Sequence, residues 1–234
     1  MDLKNAVVLI TGANRGLGLA FAREALARGA RKVYAGARDP STVTLAGVEP
    51  IKLDVTRAAD VEAAAAHASD VTLVINNAGI AQLGGFLEAD SIESAQRHLE
   101  TNLFGSLRVA QAFAPVLAAN GGGALLNVLS VGSWINSAPL GVYAMSKSAA
   151  WAMTNGLRLD LRAQGTQVLG LHMGFVDTDL TRGFDAPKST PQSIVAQAFD
   201  GLEAGAEEVL ADALTRQVKL GLAAEPAVYM QARG

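Results

Sequence analysis

Tyr143 and Lys147 are separated by three residues, in a stretch whose residue types favour a buried helix. On a helix, residues four positions apart lie on the same face, so the phenol and the ammonium group would stand side by side. A free tyrosine titrates near pH ~10, which is too high for efficient proton transfer at neutral pH. A neighbouring cation favours the phenolate and lowers the pKa of the phenol. The spacing therefore predicts a tyrosine that exchanges protons with a ligand.

Ser130 precedes Tyr143 by thirteen residues and follows the apolar run 124–129, which predicts a buried strand. The end of a strand and the helix that follows it can bring two hydroxyl groups to one point. Two hydroxyls around one point suit proton transfer at a carbonyl or alcohol oxygen. Tyr-x-x-x-Lys pairs also arise by chance, so the assignment depends on the elements that would position these side chains.

The composition favours one α/β domain spanning residues 1–234. The chain has 234 residues, is half apolar and only 5% aromatic, and contains 24 glycines. A chain of this length fits one large domain. Its alanine, valine, leucine and glycine content suits a parallel sheet covered by helices better than a β-sandwich.

Several classes of function are disfavoured. The formal charge is −3 with no basic block, so nothing points to nucleic acid. No cysteine is present, which removes disulfides and thiolate metal sites, and the three histidines are not spaced like metal ligands. No apolar run approaches ~18 residues, and the first apolar run is too short for a secretion signal. We therefore expect a cytoplasmic protein with no metal and no membrane span.

A glycine-rich turn follows the first apolar run. Residues 6–10 predict a central strand, the turn runs from Thr11 to Gly18, and a helix is predicted over 17–28. The order of strand, glycine turn and helix is the context in which backbone N–H groups and a helix N-terminus hold a pyrophosphate. Glycines that serve only the chain reversal are the alternative.

The end of the second strand bears on the nucleotide. Residues 32–37 predict this strand. Its end position, where an NAD-binding sheet usually carries an acid, is Ala37, and Arg38 follows it. Arg38, with Arg15 from the glycine turn, favours the 2′-phosphate of NADP. Asp39 comes one position too late to hold a ribose, and with Pro40 it is predicted to open a turn.

Alternating apolar runs and helical patterns predict the remaining elements. Further strands are expected at 48–53, 71–75, 167–171 and 208–210, and further helices at 58–68, 92–119, 142–162 and 191–204. Residues 180–190 predict a mobile surface loop, and 215–234 are weakly patterned. The segment 76–79 ends a strand with two asparagines and a glycine, which indicates either a ligand close to the backbone or a plain turn.

Four polar residues lie within these predicted elements. Asn102 is surrounded by apolar helix residues and therefore needs a buried partner or a water. His67 and His98 are expected to face solvent on their helices. His172 lies near the carboxyl edge of the predicted sheet, where a packing role and a functional role both remain open.

Taken together, these motifs resemble the short-chain dehydrogenase/reductase family over about residues 5–200. Thr11 to Gly18 is similar to its Thr-Gly-x-x-x-Gly-x-Gly turn, Asn76 to Gly79 to its Asn-Asn-Ala-Gly, and Gly174 to Thr178 to its Pro-Gly-x-Val-x-Thr segment. The residues similar to its catalytic four, in order and spacing, are Asn102, Ser130, Tyr143 and Lys147. Met173 stands where the family usually has proline, and Asn14 where many NADP-binding members have serine.

The resemblance implies a fold and a mechanism. The fold is a single-domain Rossmann-type doubly wound parallel sheet of about seven strands with helices on both faces. Tyr143 would exchange a proton with the substrate oxygen, and Ser130 would hydrogen-bond that oxygen. Lys147 would hold the nicotinamide ribose and lower the pKa of the tyrosine, and Asn102 would take part in a proton relay.

The resemblance also implies the contacts of NADP(H). The phosphates would meet Gly12, Asn14, Arg15, Gly16, Leu17 and Gly18. Arg38 would meet the 2′-phosphate, Asp54 and Val55 the adenine, Asn77, Ala78 and Gly79 the ribose region, and Val176 and Thr178 the nicotinamide end, beside Tyr143 and Lys147. Family members generally associate through their long helices, so a homo-oligomer, a dimer or a tetramer, is expected.

Three functions remain in competition. The first is an NADP(H)-dependent carbonyl reductase or alcohol dehydrogenase. Its small-molecule substrate would be hydrophobic if Trp134, Leu140, Phe175 and Phe184 line an apolar pocket; a packing role is the equal alternative for each of these residues. The second is a non-redox lyase on the same scaffold. Family members of that kind carry arginine in place of the lysine and lack the nucleotide-binding turn. The third is an NADP-binding sensor, whose relatives usually lose the tyrosine or the lysine. The residues present favour the first.

Overall fold

The computed structural model describes residues 1–231 and is built around one parallel sheet of seven strands. The strands are β1 Val7–Thr11, β2 Lys32–Ala37, β3 Glu49–Lys52, β4 Leu73–Asn76, β5 Ala124–Val128, β6 Gln167–His172 and β7 Glu208–Leu210. Their order in space is β3-β2-β1-β4-β5-β6-β7, and each neighbouring pair is parallel. The predicted doubly wound sheet is confirmed, and its direction of winding reverses between β1 and β4.

Within the described residues 1–231, seven α-helices connect and cover the strands. They are α1 Gly16–Ala27, α2 Ala58–His67, α3 Ser91–His98, α4 Ser106–Ala119, α5 Gly141–Asp160, α6 Pro191–Glu203 and α7 Ala213–Gly221. The predicted helix 92–119 consists of α3 and α4, joined by the π-helical segment Leu99–Gly105. The other predicted helices and the strands have ends within two residues of those observed.

Side chains of the strands alternate between two hydrophobic cores, one on each face of the sheet. In β1, which is wholly buried, Val8 and Ile10 belong to the core under α1 and α6, whereas Val7 and Leu9 belong to the core under α2 and α4. Burial on both faces explains why the strands are continuous apolar runs rather than alternating ones. The sheet is therefore a rigid platform whose carboxyl edge remains open.

The segment 213–221 differs from the weak pattern predicted for the tail. It forms α7, whose first turn is capped by Asp212, since the carboxylate accepts the N–H of Thr215 at 2.8 Å. The other carboxylate oxygen of Asp212 accepts the N–H of Gly174 at 2.5 Å, which attaches α7 to the chain that follows β6. The last three residues of the predicted tail, 232–234, lie outside the described residues.

The predicted loop 180–190 contains little regular secondary structure, but both of its ends are held by backbone contacts. It starts with the 3-10 turn Asp179–Thr181, and Ser189 forms a parallel bridge with Val176.

Across residues 1–231, none of the helices combines the length and hydropathy needed to cross a membrane. Within the same residues, no cluster of three or more histidine or acidic side chains is arranged to hold a metal ion.

Candidate active site

A cleft of about 840 Å³ opens at the carboxyl edge of the sheet, where the winding reverses between β1 and β4. Open α/β sheets bind ligands at such a point, and this volume is in the range of ligand and cofactor sites. The cleft is lined by nearly all residues predicted to act in the site: Gly12, Asn14, Arg15, Gly16, Leu17, Arg38, Asp54, Val55, Asn77, Ala78, Gly79, Ser130, Tyr143, Lys147, Val176 and Thr178. The two exceptions, Gly18 and Asn102, lie behind its wall.

The glycine turn has the backbone geometry that a phosphate-binding turn requires. Gly12 and Gly16 adopt positive φ values of 66° and 54°, which favour glycine. Gly18 permits a close approach, since a Cβ at this position would lie 2.1 Å from the carbonyl oxygen of Gly12. Helix α1 then begins with no side-chain cap and no acid in its first turn. Its N–H groups and dipole therefore remain available to an anion.

The ends of β1 and β4 are tied together by Asn77 and Thr11. The Asn77 side-chain amide donates to the carbonyl oxygens of Thr11 at 2.9 Å and of Gly12 at 3.1 Å. The Thr11 hydroxyl accepts the N–H groups of Asn77 at 3.0 Å and of Ala78 at 2.9 Å. Thr11 was not predicted as a site residue, and its place at the start of the glycine motif was the available signal.

At the end of β2, both Arg38 and the neighbouring acid Asp39 line the cleft, and Asp39 also caps the turn that follows the strand. The Asp39 carboxylate accepts the N–H of Ser41 at 3.0 Å and its hydroxyl at 2.7 Å, and so caps the 3-10 turn Pro40–Thr42. These bonds from Ser41 lower the pKa of Asp39. The prediction that Asp39 opens a turn is confirmed. Arg15, across the cleft, pairs with Asp179 at 3.8 Å.

Asn102 lies in the π-helical segment and holds the chain that follows β4. Its oxygen accepts the N–H of Ile80 at 2.8 Å, and its amide donates to the Ile80 carbonyl and to the Ser146 hydroxyl, both at 2.9 Å. Asn102 is 2% exposed and Ser146 is fully buried, so the bond between these two side chains is withdrawn from water. Asn102 thereby connects the wall of the cleft to helix α5 one residue before Lys147.

We expect Asn102→Ala to lower the free energy of unfolding by at least about 2 kcal/mol, because buried polar groups left without a partner cost about 1–3 kcal/mol each. Denaturant titration measures the loss. Asn136→Ala, at an exposed asparagine, is the control and should stay within about 0.5 kcal/mol of the wild type. Equal unfolding midpoints for the two variants would contradict the assigned role of Asn102.

Ser130 lies two residues after the end of β5 and is the N-cap of the 3-10 turn Val131–Ser133. Its hydroxyl accepts the N–H of Gly132 at 3.0 Å, and the residue is 7% exposed. The backbone N–H of Val131 donates to the Met173 carbonyl at 2.8 Å, which continues the pairing of β5 with β6 beyond the strand ends. The serine is therefore held between two neighbouring strands at the floor of the cleft.

Tyr143 and Lys147 lie one turn apart on α5, as the spacing predicts, but their electrostatics differ from the prediction. Desolvation raises the pKa of Tyr143, and a hydrogen bond with Ser130 opposes this only in part. The Lys147 ammonium donates to the Val128 carbonyl at 2.8 Å and lies 6.0 Å from the centre of the tyrosine ring. Burial also lowers the pKa of Lys147 to about 8. The predicted lowering of the tyrosine pKa by this lysine is therefore wrong for this structure, because burial dominates.

The arrangement has known counterparts: the chain matches the short chain dehydrogenase family over residues 6–189. The protein belongs to this family. A crystal structure of a short chain dehydrogenase from Burkholderia cenocepacia J2315 in complex with NADP is 38% identical and covers 97% of this chain and 96% of that one, with a TM-score of 0.93. An uncharacterized oxidoreductase from Myxococcus xanthus (strain DK1622) is 31% identical over 86% of this chain and 83% of its own length.

Short chain dehydrogenases with this fold bind either nucleotide. A short chain dehydrogenase/reductase from Burkholderia phymatum in complex with NAD superposes with a TM-score of 0.86 over 100% of this chain and 99% of that one, at 22% identity. That similarity concerns the fold alone. The fold by itself therefore does not select one of the two nucleotides.

His98 contacts the tyrosine of this dehydrogenase and is fully buried, so its predicted exposure is wrong. Its Nδ1 donates to the Ser94 carbonyl at 2.8 Å, and its Nε2 accepts the N–H of Gln82 at 3.1 Å. The imidazole packs edge-on against the Tyr143 ring, with centroids 6.4 Å apart. His98 thus holds the chain after β4 beside the phenol. His67, in contrast, has a side chain that is 57% exposed, as predicted.

The apolar residues predicted to line the substrate end of the dehydrogenase are not part of the cleft lining. Those four residues are Trp134, Leu140, Phe175 and Phe184. Trp134 is buried against His172, and Phe175 packs on Phe184 with ring centroids 5.1 Å apart. Of the four, Trp134 is kept out of the cleft by packing on a residue distant in sequence, which no local pattern reveals. The apolar side chains that do line it are Leu17, Leu53, Val55, Ile80, Ala81, Leu129, Met173, Val176 and Leu180, together with Ala37, Ala78 and Val128.

Proposed function

We propose that this protein is an NADP(H)-dependent oxidoreductase that reversibly reduces a hydrophobic ketone or aldehyde to the alcohol. The observation that carries the proposal is the meeting of Ser130, Tyr143 and Lys147 in one cleft with the glycine turn. The NADP-bound relative, at 38% identity, supports the nucleotide assignment. The apolar cleft residues that are not assigned to the nucleotide, such as Ile80, Met173 and Leu180, support a hydrophobic substrate.

The residues present fit a dinucleotide. The uncapped N-terminus of α1 offers free N–H donors to a pyrophosphate. The absence of a Cβ at Gly18 lets the turn fold tightly against the start of this helix. Asp54 and Val55 would hold the adenine, and Asn77, Ala78 and Gly79 the ribose region. Val176 and Thr178 would contact the nicotinamide end, where Tyr143 and Lys147 would also lie.

The charges at the end of β2 favour NADP over NAD. Arg38 lines the cleft directly after the strand, and Arg15 lines it from the glycine turn. A guanidinium group binds a phosphate well, because it offers parallel N–H donors and a permanent charge. The acid beside Arg38 in sequence, Asp39, also lines the cleft, but its Oδ1 accepts both bonds from Ser41 as the cap of the turn that follows β2.

The protein residues would act on the substrate oxygen. When bound, the nicotinamide supplies or accepts the hydride. Tyr143 would donate its proton to the carbonyl oxygen during reduction and take it back during oxidation, while the Ser130 hydroxyl would hold that oxygen. Lys147 would hold the nicotinamide ribose. Asn102, through Ile80 and Ser146, would keep the wall and the helix in register for this transfer.

Two competing functions are less well supported. An NADP-binding sensor without turnover has no need of a serine, a tyrosine and a lysine in one cleft. A non-redox lyase has no need of the glycine turn or of two cleft-lining arginines.

We further propose that the enzyme works in the cytoplasm as a homo-oligomer, a dimer or a tetramer. It would associate through its long helices, on which Phe104 and Leu159 are exposed.

Consumption of NADPH, and separately of NADH, with a panel of aryl and alkyl ketones tests the proposal. We expect turnover with NADPH and a much weaker rate with NADH. A preference for NADH would overturn the cofactor assignment and leave the reductase mechanism in place. Nucleotide binding without turnover of any carbonyl compound would favour the sensor. Absence of binding by either nucleotide would contradict the whole assignment.

We expect Arg38→Ser to lower kcat/KM with NADPH by about 10–100-fold and to leave kcat/KM with NADH unchanged. The charge-assisted bonds to a 2′-phosphate are worth about 1.5–3 kcal/mol, and 1.4 kcal/mol is a factor of ten. Arg31→Ser is the matched control. It makes the same charge change before β2 rather than after it, at an arginine paired with Asp70. An unchanged ratio of NADPH to NADH activity in Arg38→Ser would contradict the role of this arginine.

A further inference from the structure

His172 ends β6 next to the active site, yet it does not line the cleft. The residue is fully buried, and its Nδ1 lies 3.1 Å from the backbone carbonyl oxygen of Ser130. A carbonyl oxygen can only accept, so Nδ1 carries the hydrogen and donates it. The imidazole is thereby joined directly to the backbone of the serine that faces Tyr143.

The carbonyl that His172 holds belongs to the same tight turn as the serine hydroxyl. The Ser130 carbonyl accepts the N–H of Ser133 at 3.0 Å in addition to the imidazole. The Ser130 hydroxyl accepts the N–H of Gly132 at 3.0 Å. Both groups belong to the same tight turn, so a rotation of the carbonyl would move the hydroxyl relative to the phenol.

The far end of this turn is held by the same imidazole. Trp134, the residue after the turn, stacks on His172 with ring centroids 3.9 Å apart and planes at 17°. The ammonium of Lys219 lies 4.9 Å from the centre of the Trp134 ring, and Trp151 packs edge-on against it at 6.4 Å. His172 therefore binds the turn at its start by a hydrogen bond and at its end by a stack.

The charges around His172 are consistent with a neutral imidazole. Glu208 on β7 places a carboxylate oxygen 3.7 Å from Nε2, but this acid is already paired with Lys219 of α7 at 2.9 Å. Burial lowers the pKa of His172 to about 4, and Lys219 and Arg158 act in the same direction. At neutral pH the group is a fixed donor with one hydrogen, on Nδ1.

We infer that His172 is a positioning residue for the reaction, which orients Ser130 through its backbone carbonyl. The inference rests on the proposed function, because it assigns the serine a role in catalysis. It concerns the rate of the chemical step rather than nucleotide binding, since His172 is outside the cleft lining.

A double-mutant cycle tests this coupling. His172→Phe keeps an aromatic ring for the stack and removes the donor. We expect it to lower kcat about 10–100-fold, since a misplacement of about 1 Å has effects of this size, with NADPH affinity unchanged. In a Ser130→Ala background the same change should have almost no effect on kcat. Equal effects in both backgrounds would overturn the inference, because His172 would then act independently of the serine.

A second pair of variants separates the donor from general packing. Asparagine places an amide N–H where Nδ1 stands, whereas glutamine places it near Nε2. We expect His172→Asn to retain kcat within about threefold of the wild type and His172→Gln to lose as much as His172→Phe. Equal kcat values for the asparagine and glutamine variants would overturn the inference even if the phenylalanine variant does not fold.

Nitrogen NMR of the histidine rings provides a test that needs no substrate. The chain has three histidines, so the signals of His172 are assigned by their loss in His172→Asn. We expect a neutral ring with the hydrogen on Nδ1, and a hydrogen on Nε2 would overturn the inference. Failure of the proposed function would instead appear as a wild-type enzyme that turns over no carbonyl compound, with the ring tautomer unaffected.

Discussion

Tyr143→Phe is expected to lower kcat for ketone reduction by about 10²–10⁴-fold, the usual contribution of a positioned general acid. The substitution removes only the phenolic oxygen, so the helix α5 and the ring contact with His98 remain. NADPH should bind with unchanged affinity. Steady-state rates together with a binding titration that follows nicotinamide fluorescence measure the two effects separately.

The control for this prediction is Tyr229→Phe. Tyr229 is 59% exposed, lies in the short turn Val228–Met230 and is outside the cleft lining. It should keep the wild-type rate. Retention of more than about a tenth of kcat by Tyr143→Phe would show that another group supplies the proton.

The raised pKa of Tyr143 gives the same prediction a pH dependence. Reduction needs the protonated phenol, and burial keeps that form dominant through neutral pH. Reduction should therefore be insensitive to this group at neutral pH and decline only in strongly alkaline solution. Oxidation of the alcohol needs the phenolate, so its rate should rise with pH. Profiles of kcat/KM against pH, measured for reduction and for oxidation, test both expectations. An oxidation rate that falls as the pH rises would contradict the assignment.

Among single glycine-to-alanine substitutions in the turn, Gly18→Ala is expected to cause the largest loss of nucleotide affinity. The new Cβ would lie 2.1 Å from the Gly12 carbonyl oxygen and 2.6 Å from the Asn77 amide, which holds that turn. Overpacking of this kind costs about 1–3 kcal/mol of unfolding free energy. We also expect NADPH affinity to fall at least about tenfold, the equivalent of 1.4 kcal/mol.

Gly156→Ala provides the matched control, because nothing lies within 4 Å of a Cβ at this position on α5. Alanine is the better helix former, so the control should gain about 0.5–1 kcal/mol in unfolding free energy. Thermal unfolding and NADPH titration of both variants provide the comparison. Wild-type affinity in Gly18→Ala would show that the close approach of the two glycines is not required for binding.

Much of the fold was predictable because its elements have local causes. The strands are buried on both faces and therefore appear as continuous apolar runs such as residues 7–11. Helices α1 and α6 begin and end at recognisable residues, such as Thr190, whose hydroxyl accepts the N–H of Ser193 at 3.2 Å, and Gly29, with a φ of 83°. Helix α7 was not predicted because the residues after Asp212 form only about two turns and show no sustained apolar period, although Asp212 is a typical N-cap residue.

The membership of the cleft was predictable for a related reason. Parallel strands bring their carboxyl ends to one edge, so the glycine turn, Arg38, the asparagine pair and Ser130 must meet there once the strand order is known. The spacing between Tyr143 and Lys147 follows from helix geometry alone. The sequence itself thus determined the sheet, the helices and the set of side chains at its open edge.

Only the tertiary structure decided how those side chains are surrounded. Burial depends on contacts between residues far apart in the chain, which a local pattern does not contain. It removed Trp134 from the cleft, enclosed His98 and His172, and directed Lys147 to the Val128 carbonyl. It also reversed the expected pKa shift of Tyr143, because desolvation is a property of the packed molecule and not of the neighbouring residue.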